Sequence, residues 1–275
     1  MAVLKSLDEF QETRETLHLF SEGLSVIPRT HAVPHPKWWH ISLRVTPRGL
    51  QTGNVPLPEG GSLAGVIDLR EHTIQLEASS GESRSLQMYI GMSAAEMGEA
   101  LLTAAAEFGL TGEVDRSRIE SLEKRRYDPI QAEVFFHNLL EVERIFQTHR
   151  GALPDFTGPI QFWTHGFDLS LEWYSSQLVE YQENGKIRML PAQINLGFYP
   201  GGQRAEPYFY SNPWPFEAES LLEKDLPTGA RWHTDGWQGS MLPFRELVDQ
   251  PDAEDRLLEY ARAVFEIARP TLSES

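Results

Sequence analysis

The chain of 275 residues contains no cysteine. That excludes disulfides, thiolate-bound zinc, iron–sulfur clusters and a cysteine nucleophile. Long apolar runs are missing too, and no stretch approaches the ~20 residues that cross a bilayer as a helix. The first residues do not read as a secretory leader, because Asp8, Glu9 and Glu12 interrupt them. Cationic side chains are scarce: 24 Lys and Arg against 40 Asp and Glu leave a formal net charge of −16. Nucleic acids and anionic membranes both require concentrated positive surface, so neither is an expected partner. The acidic excess serves solubility. A soluble, cytoplasmic protein is the expectation.

Several catalytic signatures are absent as well. Gly60-Gly61-Ser62-Leu63-Ala64 approaches a nucleophile elbow but enters a strand from a loop. Gly197-Phe198-Tyr199-Pro200-Gly201-Gly202 has glycines without dinucleotide-binding spacing or a helix after them. No P-loop occurs.

What is present suits a substantial core: 40% apolar residues, of which aromatics make 11% of the chain, in a length that fits one large domain or two packed halves. Leu17, Phe20, Leu24 and Ile27 recur at helical steps over residues 8–27, and Pro28 is expected to close that helix. Strands are predicted at 38–46, 63–69, 73–78 and 84–90, with a hairpin at Ser79-Ser80-Gly81-Glu82. Ser93 and Glu96 form a capping box before a helix that Gly109 ends. The charged segment 115–127 separates this half (1–114) from a second (128–275). The second half begins with a helix at 129–148 and continues with strands near 159–164, 167–174, 192–199 and 206–211. Extended structure is predicted over 232–242, and a helix at 253–268 closes the chain. Hairpin-linked strands between helices, rather than strict strand–helix alternation, predict an α+β fold of antiparallel sheets with flanking helices.

Two segments nearly match: Trp39-His40-Ile41-Ser42-Leu43-Arg44-Val45 and Phe167-Asp168-Leu169-Ser170-Leu171-Glu172-Trp173. Both alternate apolar and polar residues, as strands with one buried face do. Their polar sets are complementary, His40 to Asp168 and Arg44 to Glu172. A pseudo-twofold duplication of a helix–strands–helix unit would bring these faces together. The competing reading is two ordinary sheet faces open to solvent.

Three constellations bear on chemistry. His40 with Asp168 offers an oriented imidazole for acid–base work, and His18 on the first helix reaches the same site or packs in the core. Trp39, Arg44, Trp163, Tyr208, Tyr210 and Trp214 supply aromatic walls and a cation for a small-molecule cleft, although aromatic density also describes a core. The run Pro207-Tyr208-Phe209-Tyr210-Ser211-Asn212-Pro213-Trp214-Pro215 favours an irregular, cleft-lining backbone. His31, His35 and His40 are a second imidazole cluster, in a proline-broken loop that does not impose ligand spacing, so no metal is expected there. His233 and Asp235 give two thirds of a facial iron triad, yet no histidine follows to complete it, and Thr234-Asp235-Gly236 also reads as a turn.

Eight short motifs then identify a resemblance: Thr16-Leu17-His18, Trp38-Trp39-His40, Pro47-Arg48-Gly49-Leu50, Tyr127-Asp128-Pro129, Phe162-Trp163, Phe167-Asp168-Leu169, Gly197-Phe198-Tyr199-Pro200-Gly201 and Leu242-Pro243-Phe244. In this order they resemble a bacterial family known only as domain of unknown function 5996. The resemblance implies no activity. It implies departures: relatives carry histidine where Lys37 stands, and a His-Glu pair where this chain has Pro191 and Ala192. The His233/Asp235 pair lies outside the pattern. No cofactor is implied.

The expectation is a protein that binds a small molecule in an aromatic cleft lined by His and Asp, between two related halves. The alternatives are a hydrolase- or isomerase-like enzyme using His40 and Asp168, a non-catalytic interaction or structural protein, and, more distantly, a metal-dependent oxygenase using His233 and Asp235.

Overall fold

A computed structural model describes residues 3–154, 156–183 and 185–272. The first elements are α1 (Gln11–His31), β1 (Leu43–Thr46), β2 (Gly49–Thr52), β3 (Val55–Pro56), β4 (Ser62–Asp68), β5 (Thr73–Ala78), β6 (Ser83–Gln87) and α2 (Ala94–Glu107). They are followed by α3 (Pro129–Ala152), β7 (Phe156–Thr157), β8 (Gln161–Trp163), β9 (Asp168–Glu183) and β10 (Lys186–Tyr199). The last are β11 (Tyr208–Ser211), β12 (Pro213–Trp214), α4 (Ala218–Leu221), β13 (Arg231–His233), β14 (Gly239–Pro243) and α5 (Ala253–Ala268). The fold is α+β with antiparallel strand pairing, as the hairpin pattern predicted. The chain divides into two compact units. An N-terminal unit comprises Leu7–Leu140 and Gln161–Asp168; a C-terminal unit comprises Met1–Ser6, Glu141–Ile160 and Leu169–Ser275. Among the described residues no helix is long and apolar enough to cross a membrane.

In the N-terminal unit the strands run in the order β8-β1-β2-β4-β5-β6, with β3 on β4. Helix α1 lies tightly on this sheet: a Cβ at Gly65 would fall 2.5 Å from a methyl of Leu24. It crosses α2 closely where Gly23 meets Gly98, and Ile119 wedges into that crossing. Ile119 belongs to the charged connector, so this contact fixes the neighbouring Arg118 against α1. The Ser93/Glu96 capping box is formed, closing two orphan N–H groups at the start of α2. Phe10, Phe135, Phe162 and Phe167 stack and edge against one another at 4.7–6.4 Å. All four are nearly inaccessible to solvent, and each such ring withdraws a large apolar area from water.

The C-terminal unit carries the strands β9-β10-β11-β14-β13, with β12 on β10 and β7 on β9. Trp173, Ala192, Ile194, Leu221, Phe265, Ala268 and Leu272 form its apolar centre. Helix α5 occupies the span predicted from its periodicity, 253–268.

Three local expectations are corrected. Pro28 lies inside α1 and does not close it; its carbonyl still accepts the Ala32 N–H at 3.0 Å, and buried neighbours Val26 and Ile27 hold the last turn in place. The predicted strand at 38–46 begins only at Leu43. Trp38 takes a left-handed φ of 60°. The turn is closed by Trp38 N–H to His35 O at 2.9 Å, Ile41 N–H to Trp38 O at 3.1 Å and His35 N–H to His40 Nδ1 at 3.1 Å. Ser42 Oγ adds a bond to Trp39 O at 3.0 Å. These bonds offer the backbone an alternative to a ladder, so His40 sits in a turn and not on a strand. Last, the strands expected at 167–174 and 192–199 are the roots of one long hairpin, β9 and β10.

Candidate functional site

Helix α1 carries a second stripe opposite in character to its apolar one. Arg14, His18, Glu22 and Arg29 follow one another at steps of four, four and seven and therefore share one side of the helix. A solvated helix face would expose such residues. Here Arg14 is 8% exposed, and His18, Glu22 and Arg29 are partly buried.

The turn between β8 and β9 covers the first half of the stripe. Phe167, with φ 53°, lies 5.5 Å from the His18 ring and 5.1 Å from the Arg14 guanidinium, centroid to group. Gly166 lets the Asp168 carboxylate lie against the backbone: a Cβ there would fall 2.2 Å from Oδ1 and displace that side chain. Arg14 also reaches the Gly166 carbonyl at 3.5 Å.

Arg14 Nη1 is 3.3 Å from His18 Nδ1. A guanidinium only donates, so Nδ1 accepts and the His18 proton resides on Nε2. Burial above all, and then the Arg14 charge, lower the His18 pKa from 6.5 to about 4, against the weaker pull of the His165 and Thr164 backbone. His18 is thus a neutral Nε2–H donor at neutral pH. Among the described residues its buried Nε2 has no hydrogen-bond partner of good geometry.

The connector and the Trp38 turn cover the second half. Arg118 forms a short ion pair with Glu22. Burial nevertheless raises the Glu22 pKa, opposed by Arg118 and Arg29. The Arg29 guanidinium lies 5.9 Å from the Trp38 ring centroid, and Trp38 stacks on His40 at 5.7 Å. His40 is kept neutral by its surroundings, by Arg29 and by His35. His165, 5.9 Å from Trp163, is kept neutral by the protein around it and by Arg118 and Arg29.

The candidate site residues therefore fall in different places. His18 lies on α1, and Trp163 and Asp168 end β8 and begin β9 on either side of the turn that packs on that helix, whereas His40 and Trp39 belong to the neighbouring turn, with Trp39 stacked on His35 at 4.4 Å. His40 Nδ1 accepts the His35 amide, which orients the ring. Arg44 is exposed on β1. Tyr208 and Tyr210 pack with Trp237 at 6.2 and 6.3 Å in the C-terminal unit, and Trp214 meets Tyr181 at 6.0 Å. His233 Nε2 lies 2.6 Å from the Asp235 carbonyl and its ring stacks on Trp237 at 4.3 Å, in the turn between β13 and β14. Among the described residues no three His, Asp or Glu side chains converge as metal ligands. Arg14, Glu22, Arg29, Arg118 and His165 escaped the sequence reading. The one available signal was the helical spacing of 14, 18, 22 and 29.

The C-terminal unit carries two concavities. An open groove of about 670 Å³ is lined by Glu217, Ser220, Lys224, Glu266, Ile267, Pro270 and Thr271. A water-sized cavity of about 10 Å³ touches His149, Asn195 and Ser211. The groove gathers Glu217, Lys224 and Glu266 but no histidine and no arginine pair.

A family model described as a family of unknown function, DUF5996, matches residues 3–272. The chain belongs to DUF5996. No match was found among curated proteins or solved structures. The DUF5996 match spans both units and every residue of the α1 stripe.

Proposed function

We propose that this DUF5996 protein binds a small organic molecule in the N-terminal unit, against the polar stripe of α1. The observation that carries this reading is His18: a buried, neutral donor whose Nε2 lacks a well-formed bond among the described residues. The Thr164 and His165 backbone satisfies that donor only incompletely, and a fully unsatisfied one would cost about 1–3 kcal/mol. Groups of that kind concentrate where a further molecule completes the bond. Trp38, 55% exposed and held in a left-handed conformation, adds an aromatic surface beside the same stripe, and strained backbone marks functional positions more often than packing ones.

Acid–base catalysis at the same place is the second reading. Its support is that His18 and Glu22, one helical turn apart, have pKa values displaced in opposite directions, the first lowered and the second raised. Burial favours the neutral imidazole and the neutral carboxyl, and buried titratable groups beside charged partners are candidates for acid–base roles.

The test is retention. Wild-type protein and His18→Leu are incubated with the small-molecule fraction of a lysate from the source cells, washed by ultrafiltration, and the released compounds identified by mass spectrometry. A compound held stoichiometrically by the wild type and lost from folded His18→Leu supports the proposal. No retained compound, or equal retention by both proteins, refutes it.

A further inference from the structure

We infer that the molecule bound at this stripe carries an oxyanion, a carboxylate or a phosphate, seated between the guanidinium groups of Arg29 and Arg118. This rests on the binding reading above and names its ligand chemistry. Three observations support it.

Arg118 is ion-paired with Glu22, and Arg29, seven residues from Glu22 on the same side of α1, is attracted by that carboxylate and repelled by Arg118. Two like charges held together in partly buried surroundings are costly unless an anion lies between them. The carboxylates that act on them are Glu22, bonded to Arg118, and Asp115, which is exposed and screened by solvent. Glu22 is one carboxylate against two guanidinium groups, so the cluster keeps an excess of positive charge.

Hydrogen-bonding capacity points the same way. The Nε atoms of Arg29 and Arg118 are both buried without a partner among the described residues. An arginine Nε–H beside an Nη–H forms the fork that matches a carboxylate or phosphate edge with two bonds. Inside a chain of net charge −16, a half-buried arginine pair is a specific local reversal of sign.

The surroundings complete a receptor. His40 and His165 are neutral donors next to the pair, and Trp38 and Trp163 stand beside Arg29 and His165 respectively. An anion between the arginines would find N–H donors from two residue types and an aromatic wall for the rest of the molecule. A cation would meet two guanidinium groups, and an uncharged ligand would leave their repulsion in place.

The probes are inorganic phosphate and malonate, each titrated into the full chain at constant ionic strength and followed by calorimetry, with glucose as the uncharged comparison. At least one oxyanion should bind saturably, at least tenfold more weakly to Arg29→Met and to Arg118→Met, and unchanged to Arg44→Met. Phosphate preferred over malonate assigns a phosphorylated ligand; the reverse assigns a carboxylic acid. Arg118→Lys, which keeps the Glu22 ion pair, should fall between wild type and Arg118→Met, and circular dichroism confirms the fold of each variant. Absence of saturable binding by both anions, or equal binding to wild type and the folded Met variants, overturns the inference. If the lysate experiment then yields an uncharged or cationic compound that depends on His18, the binding site stands and only the ligand class falls. If it yields nothing, both fall.

Discussion

Lowering the pH from about 8 to about 5 should destabilise this protein through two histidines that it holds neutral. His149 on α3 is 5% exposed in the C-terminal unit, and burial, aided by the Arg262 charge, lowers its pKa from 6.5 to about 4. Above pH 6.5 the group is neutral in both the folded and unfolded chain and contributes no pH dependence. Between 6.5 and about 4 the unfolded chain takes up a proton that the folded chain refuses, so stability falls as the pH falls. Below about 4 both forms are protonated and the loss is complete. From these two values one such histidine removes about 2 kcal/mol at pH 5 and about 3 kcal/mol in full. The assay is urea unfolding of wild type and His149→Gln at both pH values. The variant is expected to lose about 2 kcal/mol less than the wild type across that interval, in the transition that unfolds the C-terminal unit. Glu22, with its raised pKa, acts in the opposite sense at low pH but is common to both proteins and drops out of the comparison. Parallel losses in the two proteins would refute the claim that His149 is held neutral by burial.

Other perturbations have equally definite outcomes. His18→Gln should give the same relief of acid sensitivity in the N-terminal unit, about 2 kcal/mol at pH 5, read from the same melts. Gly98→Ala places a Cβ 2.6 Å from Ile119 and should cost about 1–3 kcal/mol by overpacking, visible as a lowered urea midpoint. It should also weaken any ligand that depends on Arg118, because Ile119 is what presses that residue against α1. Ser93→Ala removes one side of the α2 capping box and should cost about 1 kcal/mol in thermal or urea unfolding, with ligand retention unchanged.

The periodic elements were legible because their information is local. The 3.6-residue repeat marked α5 and most of α1, the Ser93/Glu96 pair marked the start of α2, and alternation with Ser-Gly turns marked β4, β5 and β6. Residues 38–42 misled because Trp-His-Ile-Ser alternates like a strand while its bonds are made within the turn, His35 N–H to His40 Nδ1 and Ser42 Oγ to Trp39 O. That decision depends on side-chain geometry, which hydrophobic pattern does not encode. His18 was visible as a histidine between two leucines. The rest of its stripe looked like a solvated helix face, since Arg14, Glu22 and Arg29 are ordinary surface residue types. Their burial comes from Arg118 and the 164–167 turn, about a hundred residues or more further along the chain, one of them in a segment that read as a plain charged linker.

The central claim is that the α1 stripe is where this protein holds a small molecule, and backbone amide NMR of isotope-labelled protein tests it most directly. The compound retained from the lysate fraction, or failing that malonate or phosphate, is titrated in and each amide followed. The account predicts saturable shifts concentrated at Arg14, His18, Glu22, Arg29, Trp38–His40, Arg118 and Thr164–Phe167. Shifts centred instead on the C-terminal groove around Glu217, Lys224 and Thr271, or no saturable shifts at all, would contradict it.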